Sequence, residues 1–201
     1  MTAAPGLLIM PALMAHALRD RNTPEILAKS RQVIDFEGFI SDFDRLTGII
    51  ESDLALLDPA ERPAGWRKAP LTARLSFGFA DVQEHLPAVT GFARARVSAV
   101  CQRCLEPCEI DLDVGLRYLL LPADQATTAT DDYEVWELEA SSFEPADLVE
   151  EALIMALPIS ASHADRTACG PIAGQLDSGE RGVADSTRPF AELKRLMNKT
   201  D

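Results

Sequence analysis

The chain is short of positive charge. Its 201 residues carry 19 Lys and Arg against 32 Asp and Glu, a formal net charge of −13. A surface of that sign repels a phosphate backbone, which excludes broad electrostatic binding to nucleic acid and favours solubility or a basic protein partner. Aromatic residues are scarce as well, at 6%. Apolar residues make up 47%, enough for a core, but one built mostly from Leu, Val, Ile and Ala.

Long hydrophobic runs are missing. The N-terminal candidate, residues 6–18, is interrupted by Pro11 and His16 and is too short and broken to span a bilayer. No Lys or Arg precedes it, so the positive region of a secretory signal is absent. The expectation is a cytoplasmic protein without membrane contact, whose thiols stay reduced. Histidine is rare too. His16, His85 and His163 are scattered and place no base in a motif with a nucleophile.

What is present begins with alternation. In "LTARLSFGFA", Leu71, Ala73, Leu75, Phe77 and Phe79 share one face. In "VTGFARARVSAVC", Ala93, Ala95, Val97, Ala99 and Cys101 lie opposite Phe92, Arg94, Arg96 and Ser98. In "CEIDLDVGLRYLLL", Ile110, Leu112, Val114, Leu116, Tyr118 and Leu120 fall together. Three period-2 runs joined by turn residues predict an antiparallel meander with one buried face. "VIDFEGFI" and "YEVWELE" read as further strands, and residues 59–70, with three prolines and a glycine, as a loop.

Helices are fewer. Thr23 as N-cap with Pro24 behind it predicts a helix in "TPEILAKSRQ", and "SDFDRLTGII" reads as a short helix or turn begun by Ser41. "FEPADLVEEALIMALP" predicts a helix over 145–157 stopped by Pro158. Its stripe of Leu148, Val149, Ala152, Leu153 and Ala156 covers the sheet, while Glu150 and Glu151 face water. "RPFAELKRLMNK" predicts a last short helix with Phe190, Leu193 and Met197 on one side. The fold class is therefore α+β, an antiparallel meander or barrel-like core with a few packing helices.

The cysteines are the chemical signal. Three of the four fall within "VCQRCLEPCEIDLDV", at the turn between the second and third runs. Cys101-x2-Cys104 at a turn is half of a zinc site, because such a turn leaves backbone N–H groups to stabilise two sulfurs pointing at one centre. Cys108, His163 and Cys169 are available as further ligands. Packing is the rival reading, and the better one for Cys108, which opens a strand. A redox couple is weaker, since a thioredoxin-like CxxC sits at a helix N-terminus and here a strand follows. Arg103 offers a thiolate only slight support.

Taken in order, "CQRCLEP", "DLVEEALIMALPISASH" followed by Cys169, and "RPFAELKRL" resemble the YceD family, the large ribosomal RNA subunit accumulation proteins. Upstream, "LAKSRQVIDFEGFISDFDRL" is similar to that family's opening strand and helix. The resemblance implies one such domain over 23–201; outside its pattern, the Gly-rich stretch near 174–187, with little apolar content, reads as a mobile loop and residues 1–22 as a flexible extension. It also implies Cys101, Cys104, His163 and Cys169 as the matching set, ligands of one structural zinc.

The function implied is a non-enzymatic ribosome-biogenesis factor supporting synthesis, processing or stability of large-subunit (23S) rRNA. The alternative is a CxxC-based thiol- or metal-dependent enzyme in RNA or redox metabolism. For partners, the sequence offers two features. From Asp131 to Glu151 there are nine acidic residues and no Lys or Arg, which suits a basic ribosomal protein or a precursor particle. Arg94 and Arg96 on one strand face, with Arg74, Arg103 and Arg117 nearby, form a local patch for 23S rRNA contact.

Overall fold

The computed structural model describes residues 17–122 and 132–170. The chain enters this region through a short helix, α1 (Pro24–Lys29), whose N-cap Thr23 accepts a hydrogen bond from the Ile26 amide. Strand β1 (Val33–Phe39) and helix α2 (Asp44–Leu54) follow. Then come the three long alternating runs, β2 (Pro70–Phe79), β3 (Pro87–Val100) and β4 (Pro107–Pro122). Strand β5 (Glu134–Leu138) and helix α3 (Pro145–Ala156) complete the regular structure described. The last short helix expected from "RPFAELKRLMNK" and the Gly-rich loop near 174–187 lie outside the described residues, as does most of the N-terminal extension.

The five strands form one sheet in the order β1-β2-β3-β4-β5. Neighbours from β1 to β4 are antiparallel, while β5 runs parallel to β4. The sheet is therefore mixed and open, not barrel-like: among the described residues, β1 pairs only with β2 and β5 only with β4. The α+β class stands.

One face of the sheet carries the core. Leu71, Leu75, Ala93, Val97, Leu112 and Leu116 are buried there, against Leu46, Ile50 and Leu54 of α2 and Leu148, Val149, Ala152 and Leu153 of α3. The alternation gives way at one end of β4, where Leu119, Leu120 and Leu121 are all buried. There Leu119 and Leu121 pack with Ala88 in a small second cluster on the opposite face, under Ala80, Leu86 and Tyr133.

The two glutamates of α3 do not simply face water. Glu150 is buried, and its Oε1 accepts the amides of Arg45 at 2.7 Å and Leu46 at 3.0 Å. The N-cap of α2 is Phe43, which has no side-chain acceptor, so the first-turn amides of α2 are satisfied from the neighbouring helix. A carboxylate at a helix N-terminus also complements the dipole. Glu151 pairs with the Arg45 guanidinium at 2.6 Å. Glu150→Ala should cost about 2 kcal/mol, because it strands amide donors without an acceptor. Glu150→Gln, which keeps one oxygen acceptor, should cost less. Urea unfolding midpoints check both, and equal midpoints for Glu150→Ala and the parent would refute the capping role.

Candidate metal centre

The turn between β3 and β4 is tightly closed. The Cys101 carbonyl accepts the Leu105 amide at 2.8 Å, and the Cys101 amide donates to the Glu106 carbonyl at 2.9 Å. Leu105 takes a left-handed φ of 61°, a conformation that a branched side chain disfavours and that the surrounding bonds enforce. The turn is tied at its base to α2, where Asp53 Oδ2 accepts the Val100 amide at 2.7 Å.

Helix α3 ends at Ala156, with Leu157 in an extended conformation and Pro158 next. The chain then returns along the hairpin tip. The Gln102 amide donates to the Ala161 carbonyl at 2.8 Å, and Arg103 Nη2 donates to the His163 carbonyl at 2.6 Å. A 3-10 turn, Arg166–Ala168, capped by the Asp165 carboxylate on the Thr167 amide, then delivers Cys169.

These connections gather four donors. Cys101 and Cys169 sulfurs stand 3.8 Å apart, and His163 Nδ1 lies 3.5 Å from both Cys104 Sγ and Cys169 Sγ. All four donor atoms lie within 4.8 Å of one another, and the three thiols are buried. Around a tetrahedral zinc with Zn–S about 2.3 Å and Zn–N about 2.0 Å, sulfurs sit about 3.8 Å apart and sulfur and nitrogen about 3.5 Å apart. The three separations given above match those edges, so the donor set fits a metal ion of that kind.

The imidazole is oriented for the same task. Its Nε2 lies 3.2 Å from the Pro107 carbonyl oxygen. A carbonyl only accepts, so Nε2 carries the proton and Nδ1 keeps its lone pair toward the thiols, the arrangement common around ligating histidines.

The thiols are electrostatically unequal. Burial alone would raise Cys101, but the backbone N–H groups of Cys104, Arg103 and His163 hydrogen-bond to it, and its pKa falls to about 5. Cys169 is pushed up to about 11 by burial and by hydrogen bonding with Cys101 and Cys104, with the Arg103 charge pulling the other way. Cys108 is also pushed up to about 11, by burial and by the negative charges of Cys101, Asp53 and Cys104. It lies outside the four-donor group and packs beside Ala99 and Ile110, as the packing reading expects.

The other expected residues are placed less favourably. His85 lies in the β2–β3 connection, where its amide and that of Leu86 cap Asp81, and His16 lies outside the described residues. The arginine patch is largely neutralised by cross-strand carboxylates. Arg94 stands opposite Asp113 and pairs with it at 3.0 Å, Arg96 stands opposite Asp111 and pairs with it at 2.6 Å, and Arg74 reaches Asp35 at 3.6 Å. Arg117 lies over the Tyr133 ring, and Arg103 belongs to the cysteine turn.

The acidic stretch is partly used inside the molecule, through Glu144 with Arg21, Glu151 with Arg45, and buried Glu150. Asp132, Glu134, Glu137, Glu139 and Asp147 are exposed. The Pro107 carbonyl, Asp53 and the Ala161 carbonyl have no sequence signal, since they act through backbone groups or across distant chain segments. Among the described residues no helix is long and apolar enough to cross a membrane.

The open mixed sheet therefore carries a Cys3His group where its β3–β4 hairpin tip meets the segment after α3, in an α+β fold. The family model of the large ribosomal RNA subunit accumulation protein YceD matches residues 89–197, more than half of the chain, and the chain belongs to that family. The match starts in β3 and contains all four donors, while the upstream resemblance over residues 23–88 lies outside it. Membership implies a role in accumulation of the large-subunit ribosomal RNA. No solved structure matches the chain.

Proposed function

We propose that this chain is a non-enzymatic assembly factor that sustains 23S rRNA by acting on a large-subunit precursor particle, with Cys101, Cys104, His163 and Cys169 holding one structural zinc. The observation that carries the zinc reading is the donor set itself. Three thiols and one imidazole lie within 4.8 Å of one another, with three of their separations at tetrahedral edge lengths; as ligands they would fill a four-coordinate ion and leave no position for a reacting water, the mark of a structural centre. When bound, the ion would supply a cross-link between the β3–β4 hairpin and the segment after α3. Cys101 is prepared for it by the backbone N–H groups that already favour its thiolate.

The partner reading rests on charge. The exposed carboxylates on and around β5, Asp132, Glu134, Glu137 and Glu139, suit a Lys- and Arg-rich ribosomal protein on the particle. Direct rRNA contact through Arg94 and Arg96 has less support, because both arginines already face carboxylates. The enzyme alternative has less again. The CxxC turn leads into a strand and lacks the helix N-terminus that tunes redox thiols.

Cells lacking the gene should accumulate less mature 23S rRNA and show a reduced large-subunit peak on sucrose gradients, with small subunits nearly unchanged. A plasmid-borne parent chain should restore the profile. Normal subunit ratios in the deletion strain, in cold as in warm growth, would refute the function.

A further inference from the structure

Arg103 sits inside the CxxC turn, between two of the donors, and bonds to the segment after α3 that carries the third, His163. Its Nη2 donates to the His163 carbonyl at 2.6 Å, while its Nε is buried with no hydrogen-bond partner. A buried guanidinium N–H left unpaired is costly unless negative charge lies near it. The cluster supplies such charge. Three thiolates around one divalent cation carry one excess negative charge, buried in a chain whose net charge is already −13.

We propose that Arg103 is the built-in counter-ion of the Cys3His centre, offsetting its excess negative charge while its bond to the His163 carbonyl positions that residue's imidazole toward the sulfurs. The inference rests on the zinc reading and deepens it. Arg103 ligates nothing. It makes a buried, negatively charged centre tolerable and couples the two chain segments that build it. Arginine suits both tasks, because the planar fork holds a carbonyl with one arm and presents charge with the rest, whereas lysine offers only a point charge.

The test uses the full chain and titrates zinc against a chromogenic chelator, with a parallel cobalt substitution to read the donor set from its thiolate charge-transfer and d–d bands. Arg103→Met should weaken zinc affinity by about 10–100-fold, the usual loss for an outer partner of a metal ligand. Its cobalt bands should still report a tetrahedral three-sulfur, one-nitrogen set. Arg103→Lys should recover part of the affinity through its charge. Gln102→Ala, in the same turn, should bind like the parent.

Arg103→Met and Arg103→Lys both holding zinc as tightly as the parent would overturn the inference. Arg103→Lys falling as far as Arg103→Met would overturn the counter-ion role. If Arg103→Met does not fold, Arg103→Gln and Arg103→Lys carry the comparison, with the charge-retaining variant expected to bind more tightly. A parent chain without cobalt bands would refute the metal reading itself, before any variant is compared, and the counter-ion with it.

Discussion

Cys101→Ser should leave the purified chain without zinc, whereas Cys108→Ser should keep about one zinc per chain. The contrast follows from position. The Cys101 sulfur stands 3.8 Å from Cys169 and belongs to the four-donor set, whereas Cys108 lies outside it and packs beside Ala99 and Ile110. Replacing a thiolate by a hydroxyl removes a soft anionic donor that the ion requires. Cys104→Ser should behave like Cys101→Ser.

The effect on stability should be large. Structural zinc in small peptides contributes apparent binding free energies of about 10–16 kcal/mol, and binding of this kind is linked to folding. The main core here is built from the sheet, α2 and α3 without the cluster, so loss of metal should lower the melting temperature and free the segment around 158–170 before it unfolds the sheet. Chelation of the parent should reproduce the Cys101→Ser melting curve. Elemental analysis of chain purified without a polyhistidine tag checks the stoichiometry. A value near zero for the parent, with all four thiols titrating freely in the folded state, would leave the turn as a packing element.

Leu153→Asp should be the most damaging single change in the core. Leu153 is fully buried on the face of α3 that meets the sheet. The substitution removes the transfer free energy of a leucine side chain, opens a cavity, and places a carboxylate where no partner stands. Together these should cost about 4 kcal/mol or more, against a total stability of about 5–15 kcal/mol for a typical domain. Met155→Asp, two residues along the same helix, provides the contrast. Met155 is 77% exposed, so its replacement should shift stability by no more than about 0.5 kcal/mol. Urea midpoints for the pair separate burial from helix propensity. Equal midpoints would refute the packing of α3 on the sheet.

Much of this architecture is carried by local pattern. Period-2 alternation in 71–79, 89–101 and 108–118 determined which side chains face the main core, because successive residues on a strand point to opposite sides whatever the neighbours are. Thr23 with Pro24, and Pro145 with the Pro158 stop, bounded two helices through groups that act within one turn. The CxxC spacing marked Cys101 and Cys104 as neighbours, since a tight turn brings residues three apart onto one side. His163 and Cys169 were available as further ligands in the sequence, but it took the family resemblance to choose them over Cys108 as a set, because nothing local connects them to a turn some 60 residues away.

Only the tertiary structure decided the rest. Alternation carries no direction, so the parallel run of β5 beside β4 and the open edges of the sheet follow from how the chain returns after β4. Glu150 and Glu151 are adjacent polar residues in the sequence. Which one is buried depends on α2 arriving with two unsatisfied amides beside α3. Arg94 and Arg96 look like a basic patch until the register sets Asp113 and Asp111 opposite them. At the centre, the Pro107 carbonyl that orients His163 and the guanidinium that bridges to it are ordinary residues along the chain. They acquire their roles because a hydrogen bond between backbone and side chain depends on where the two groups meet in space, and residue order alone does not record that.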